Sequence, residues 1–318
     1  MTKGYDIRPW QPGDEHAILD LFHASFGRRL TPEFWRWRFS DHPAGGPLIM
    51  LAWKGDRLAA HYGASQAPLY YEEEVIPSAM SMTTMTHPDD RGLGLVETVG
   101  QALYDSLRGD GYAAVWGFPN AMINATRQRK LAWHPIDDIA SLSMAVNTTR
   151  IPKIDPALKV ETVDVIDARF WEAKKRGAQA GTVMGLRDAA TLGWRVDRNP
   201  INTYTRYVIP AGAGQIAGYA ITKSFGDAAV DIVDICGTEG GHVMALLAEI
   251  RQRAARDGIK QMNSWSQRMD PARLHLEHFG FAASAPVTYL GGRSFVNTIN
   301  DFTDSRRWRI AMLDSDLY

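Results

Sequence analysis

The stretch from Val75 to Phe118 constrains the fold more than any other part of the chain. Val75 to Thr86 reads as a strand, and Pro88-Asp89-Asp90-Arg91-Gly92-Leu93-Gly94 follows as a turn. Leu95, Val99, Leu103 and Leu107 then recur every four residues, the apolar stripe of an amphipathic helix. Gly109-Asp110-Gly111 ends that helix. Tyr112–Phe118 is a nearly continuous apolar run, the pattern of a strand covered on both faces. Strand, glycine-rich turn, helix and buried strand together predict a βαβ-like unit. Met80 and Met82 alternate, but the next methionine is Met85. One extra strand residue, a β-bulge, accounts for this spacing, and so does chance.

The flanking segments extend the pattern. Tyr5–Arg8 reads as a short strand. Asp14 is placed to cap a helix carrying Ala17, Ile18, Leu21, Phe22 and Phe26. A second helix is expected from Thr31, with Pro32 at its first position. Leu48–Trp53 and Leu58–Gln66 read as a hairpin around Lys54-Gly55-Asp56, and a further hairpin turns near Glu72–Glu74.

A chain of 318 residues suits two domains of roughly 150 residues each. The second half repeats the order of elements. Trp37-Arg38 precedes Pro43, and Trp194-Arg195 precedes Pro200 at the same interval. Val230–Cys236 reads as a strand, Gly240-Gly241 as a turn, Val243 to Ala254 as a helix, and Ile259–Trp265 as the next strand. Duplication is the reading adopted. The expected domains are 1–148 and 149–318, with a linker at Asn147–Pro156.

Composition excludes several classes. The formal net charge is −1, so no basic excess points to nucleic acid or an anionic membrane. Apolar residues at 45% and charged residues at 22% are those of an ordinary globular protein. The single cysteine, Cys236, allows neither an intramolecular disulfide nor a cysteine-based zinc site, and no metal is expected. No signal core or membrane span is evident, which makes the cytoplasm the default compartment. The expected state is a monomer or homodimer.

Chemistry is expected at Arg91-Gly92-Leu93-Gly94-Leu95. Glycines between a strand and a helix turn backbone N–H groups toward one point, and the helix N-terminus adds partial positive charge there. A pyrophosphate suits such a place, although a tight connection alone also explains it. The stretch resembles the acetyl-CoA signature of the GNAT acyltransferases: Arg or Gln, two residues, Gly, one residue, then Gly or Ala. Arg91, Gly94 and Val96 hold those places, and Val96 departs from the pattern. The run from Thr86 to Gly94, the preceding order of elements, and Gly117-Phe118-Pro119-Asn120 followed by Leu131-Ala132-Trp133 resemble the family as well.

The resemblance implies an α/β (α+β mixed-sheet) fold with two tandem GNAT-like acyl-CoA N-acyltransferase domains. The first would be catalytic, and the second a degenerate copy contributing to the acceptor pocket, since Glu239 before Gly240 would repel phosphate. The co-substrate would be acetyl-CoA or another acyl-CoA, and the acceptor a small-molecule amine, with an amino-sugar nucleotide as one candidate. Met85, Thr86 and His87 would line the pantetheine arm. Arg91, Gly92, Leu93, Gly94, Leu95 and Val96 would hold the pyrophosphate, and Asn120 would sit near the thioester. The tyrosine that such enzymes place as general acid has Gln128 at its position here.

His61 and His87 are the candidate bases, with Glu97 behind them. A histidine's ordinary pKa near 6.5 suits proton removal, but a hydrogen-bonded structural histidine fits either position. Trp35, Trp37, Arg38 and Trp265 are candidate acceptor contacts, with core packing as the alternative. Two other functions stay open. A non-catalytic acyl-CoA-binding regulator would bind CoA without turnover. An aminoacyl-tRNA-dependent peptidyl-type transferase would carry a basic groove and no CoA signature.

Overall fold

The computed structural model describes residues 4–148 and 152–318. The chain divides into two compact units. Unit 1 is Met1–Ile136 with Tyr289–Thr303, and unit 2 is Asp137–Thr288 with Asp304–Tyr318.

Unit 1 runs β1 (Asp6–Pro9), α1 (Glu15–Phe26), α2 (Pro32–Phe39), β2 (Leu48–Lys54), β3 (Arg57–Gln66), β4 (Leu69–Tyr71), β5 (Glu74–Ile76), β6 (Ser78–Thr86), α3 (Leu95–Gly109), β7 (Ala114–Gly117) and α4 (Ala121–Lys130). Local chemistry explains the boundaries. The Thr31 side chain accepts from Phe34 N and Pro32 opens α2. Glu72 and Glu73 take left-handed backbone angles in the β4–β5 turn. The single strand expected over Val75–Thr86 is two strands, because Pro77 has no N–H to continue the ladder.

Unit 2 continues with β8 (His134–Ala145), β9 (Glu161–Val163), α5 (Ala168–Gly177), β10 (Val183–Gly185), α6 (Ala189–Leu192), β11 (Tyr204–Pro210), β12 (Ile216–Phe225), β13 (Ala229–Gly237), α7 (Gly240–Arg256), β14 (Gln261–Trp265), α8 (Pro271–Phe279), β15 (Ala282–Ser294) and β16 (Trp308–Arg309).

The two units have matching sheets. In unit 1 the order is β1-β2-β3-β6-β7 and then the end of β15. In unit 2 it is β9-β11-β12-β13-β14-β8. Each contains one parallel pair, β6 with β7 and β13 with β14, among antiparallel neighbours. The duplicated order of elements is therefore a duplicated sheet topology.

The expected boundary at 148/149 is corrected by the pairing. Ser141–Ala145 of β8 bonds to β14, while Gly291–Ser294 of β15 bonds to β7. Each unit thus takes its last strand from the opposite half of the chain. Part of the expected linker at Asn147–Pro156 lies outside the described residues.

Each unit has its own core. In unit 1, Leu95, Val99, Leu103 and Leu107 of α3 pack on Ala60, Tyr62 and Ala64 of β3. Gly100 lets the helix approach closely, since a Cβ there would lie 2.8 Å from the Tyr62 ring. In unit 2, Val243, Leu247 and Ile250 of α7 pack with Ala220, Ile232 and Met262. Among the described residues no helix is long and apolar enough to cross a membrane.

Candidate active site

The site in unit 1 is built where β6 parts from β7. The two strands pair only through Ser78↔Ala114, Ala79↔Val115 and Met80↔Trp116. Beyond Met80 the strand β6 continues with β3 alone. Gly117 ends β7 with φ of 153°, and a Cβ on it would lie 2.9 Å from the Ser81 carbonyl oxygen. The strands are thus close at Gly117 and open beyond it.

A bulge lies at this opening. His61 faces Met85 and Gly63 faces Met82, so β6 carries one residue more than β3 over this interval. Thr83 takes a left-handed φ of 48° within it. The bulge returns Met85 to the face already occupied by Met80 and Met82, which explains the methionine spacing. All three side chains are buried.

The turn after β6 is held by Asp90. This buried carboxylate accepts from Tyr5 Oη at 2.7 Å and pairs with Arg57 at 2.6 Å. Burial alone would raise its pKa, but the Tyr5 and Arg57 bonds keep it below the usual carboxylate value. Gly92 and Gly94 follow with φ of 79° and 75°, left-handed angles that glycine adopts without strain, and Gly94 caps α3.

A cavity of about 430 Å³ opens beside that helix N-terminus. Thr86, Gly92, Gly94, Leu95 and Val96, all candidates from the sequence, line one part of it together with Asp90. The last turns of α4 supply the rest through Thr126, Arg129 and Lys130. Sequence reasoning passed over these two cations, although the basic run Arg127-Gln128-Arg129-Lys130 marks them. Glu97 also lines the cavity and pairs with Lys130 at 3.5 Å. Arg129 and Lys130, with Asp90 and Glu97 also in the lining, thus share the cavity with the first N–H groups of α3, which have no intrahelical partner.

The other expected residues are distributed differently. Arg91 and Leu93 are exposed, and Arg91 Nη2 donates to the Ser25 carbonyl at 3.4 Å. Asn120 accepts from Ile123 N at 3.1 Å as the cap of α4. His87 caps the Pro88–Asp90 turn, and its Nδ1 lies 3.5 Å from the Asp89 carboxylate. Gln128 bonds within its own helix to Asn124.

His61 is on the opposite sheet face from Tyr62, against Phe39 of α2. It is 1% exposed, and Gly63 leaves room for its ring, since a Cβ there would lie 2.6 Å from Cε1. Its Nδ1 donates to the Thr83 carbonyl in the bulge at 2.7 Å. That bond leaves Nε2 as the unprotonated nitrogen, buried and without a hydrogen-bond partner among the described residues. Burial pushes the His61 pKa down to about 4.

The aromatic candidates are core residues. Trp35 is 1% exposed and stacks against Trp10 and Phe39. Trp37 and Arg38 are buried, and Arg38 Nε donates to Met82 Sδ at 3.2 Å. In unit 2, Trp265 is buried with its ring edge-on to Tyr318.

Unit 2 has the same strand opening but different contents. There β13 leaves β14 after Ile232↔Ser264, and one extra residue enters β13 before Asp234. The helix N-terminus at Gly240 is covered by the His275 ring, which a Cβ on Gly240 would strike. At the bulge, Asp234 is buried between Lys174 at 2.8 Å, Arg187 at 2.8 Å and Tyr219 at 2.9 Å. Arg187 in turn holds Asp314 through two bonds of 2.7 Å.

Unit 1 is thus a mixed sheet that opens beside a glycine-capped helix, with two cations near that helix N-terminus. The acetyltransferase (GNAT) domain profile matches residues 6–135, which fall in unit 1. The fold of the chain is shared by a probable N-acyltransferase from Enterococcus faecalis, at 13% identity and a TM-score of 0.74, covering 91% of this chain and 72% of that one. A GCN5-related N-acetyltransferase from Kribbella flavida gives 14% identity, a TM-score of 0.70, and coverage of 91% and 71%. Eis1 from Mycobacterium abscessus gives 16%, 0.61, and coverage of 90% and 72%. No curated protein matches the chain.

Proposed function

We propose that unit 1 binds acetyl-CoA or another short acyl-CoA and transfers its acyl group to the amine of a small molecule. The observation that carries this reading is the cavity at the α3 N-terminus, with Arg129 and Lys130 in its lining, beside the opening between β6 and β7. The pyrophosphate and 3′-phosphate would lie against Gly92–Val96, Arg129 and Lys130. The pantetheine arm would run past Thr86 into the opening, so that the thioester reaches the bulge.

Unit 2 is proposed not to bind CoA. The His275 ring occupies the corresponding helix N-terminus, and Glu239, the residue before it, carries the wrong charge for phosphate. The salt-bridged Asp234 cluster fills the place at its bulge.

Of the two histidines, His61 is the one proposed to accept the amine's proton. His87 Nδ1 is committed to its own turn, whereas His61 Nε2 has a free lone pair. With a pKa of about 4 it is neutral at all ordinary pH and acts as a weak base, so the amine must arrive largely deprotonated.

The acceptor class is tested by following CoA thiol release from acetyl-CoA across a panel of amines, with amino-sugar nucleotides included. Turnover with amino-sugar nucleotides supports that acceptor. Turnover with other amines only would move the acceptor elsewhere, and CoA binding without turnover for any amine would make the protein a regulator.

A further inference from the structure

Arg127 is a buried cation that the fold does not neutralise. It lies on α4 and is 2% exposed. Its Nε donates to Tyr62 Oη at 3.1 Å, and its Nη2 donates to Ser81 Oγ at 2.8 Å and Thr84 Oγ1 at 3.4 Å. The guanidinium also lies 4.6 Å from the Trp133 ring and 5.7 Å from the Tyr62 ring. None of these partners is a carboxylate. The Tyr62 hydroxyl bonds to Tyr104 at 2.7 Å, and Trp133 Nε1 donates to Tyr104 at 2.9 Å. Arg293, which stacks on Tyr104 at 5.8 Å, adds a second positive charge. Among the described residues no carboxylate oxygen lies within 4.0 Å of either arginine.

Burying a cation without a counter-charge is costly, and proteins ordinarily pair such a group or exclude it. A fold that fixes one rigidly is prepared for an anion that arrives later. The position shows where. Ser81 is the first residue of β6 beyond its last pair with β7, and Thr84 lies in the bulge. Arg127 is therefore tied to the β6 edge of the strand opening at two points, apart from Arg129 and Lys130, which line the cavity at the helix N-terminus. Its Nη1 has no hydrogen-bond partner among the described residues and is not one of the side-chain nitrogens sealed from solvent.

We propose that Arg127 Nη1 donates to the sulfur of CoA and stabilises the thiolate as it departs, in place of the proton donor absent at Gln128. This rests on the acyl-CoA reading of unit 1. In the step, the amine lone pair forms the new N–C bond at the thioester carbonyl. Collapse of the tetrahedral intermediate breaks the C–S bond, and its electron pair stays on sulfur. The amine's proton leaves through the base. No proton need reach the sulfur in that step, because a guanidinium stays charged and hydrogen-bonds the thiolate directly.

The test is an ultraviolet titration of the thiolate of CoA bound to the whole protein, compared with free CoA, for wild type, Arg127→Lys and Arg127→Met. The expected result is a thiolate fraction at neutral pH at least tenfold higher for wild-type-bound than for free CoA. Arg127→Lys should keep part of that rise and Arg127→Met should lose it while still binding CoA. An unchanged thiol in the wild-type complex overturns the proposal without any variant, which covers the case in which Arg127→Met does not fold. Equal thiolate fractions in the wild-type and Arg127→Met complexes overturn it too. So does an equal loss of affinity for CoA and desulfo-CoA in Arg127→Met with the thiol unmoved, since the charge would then read phosphate. Failure of the wild type to bind CoA removes the proposal together with the reading it rests on.

Discussion

Lowering the pH should destabilise unit 1 through His61. In the unfolded chain this histidine titrates near 6.5, whereas burial holds it at about 4 in the fold. Between those values the unfolded state binds a proton that the native state refuses. Stability is therefore complete above about pH 6.5 and declines as the pH falls toward about 4. At about 1.4 kcal/mol per pH unit the limiting penalty is about 3 kcal/mol, of which about 2 kcal/mol is realised at about pH 5. The measurement is urea unfolding of wild type and His61→Asn at neutral pH and at about pH 5. The variant will be less stable at both, because it disturbs the bond to the Thr83 carbonyl. The informative quantity is the pH-dependent loss, which should be smaller in His61→Asn by about 2 kcal/mol. Equal losses in the two proteins would refute the argument, since His61 would then not be the group held neutral.

Other consequences follow from the same geometry. If His61 is the base, kcat/KM should track the deprotonation of the acceptor amine and show no separate inflection between about pH 5 and 8; such an inflection would rule His61 out as the base. Asp234→Asn should cost about 3–5 kcal/mol in urea unfolding, because it leaves Lys174 and Arg187 buried beside a neutral amide; a loss below about 1 kcal/mol would mean that the cluster relaxes. Gly117→Ala places a Cβ 2.9 Å from the Ser81 carbonyl. It should cost about 1–3 kcal/mol and weaken acetyl-CoA binding by shifting β6 against β7, and unchanged affinity would argue that the opening lies elsewhere.

Much of unit 1 could be read from local signals. Thr31-Pro32 announces α2 because capping needs only those residues and their neighbours. The methionine spacing carries the bulge, since one extra strand residue displaces the whole alternation. The glycines at 92 and 94 mark the left-handed turn directly. The exchange of β8 and β15 has no such signal. Its hydrogen bonds join residues more than a hundred positions apart, and a strand's own sequence does not name its partner. Arg127 was hidden for a different reason. It stands in Thr126-Arg127-Gln128-Arg129-Lys130, which reads as a solvated helix face, and only the packing of α4 on β6 distinguishes it from Arg129 and Lys130. His61 and His87 are equal candidates by order in the chain, and only the structure shows that the His87 ring turns back onto the Pro88–Asp90 turn.

The central claim, a single acyl-CoA site at the α3 N-terminus, is tested most directly by calorimetric titration of acetyl-CoA into wild type and Gly94→Glu. A Cβ at Gly94 meets nothing within 4 Å, so the variant adds a carboxylate at a strain cost of about 1–2 kcal/mol from the left-handed backbone. The account predicts one acetyl-CoA per chain for wild type and at least tenfold weaker binding in the folded variant. No binding by folded wild type, two sites per chain, or equal affinity in Gly94→Glu would contradict it.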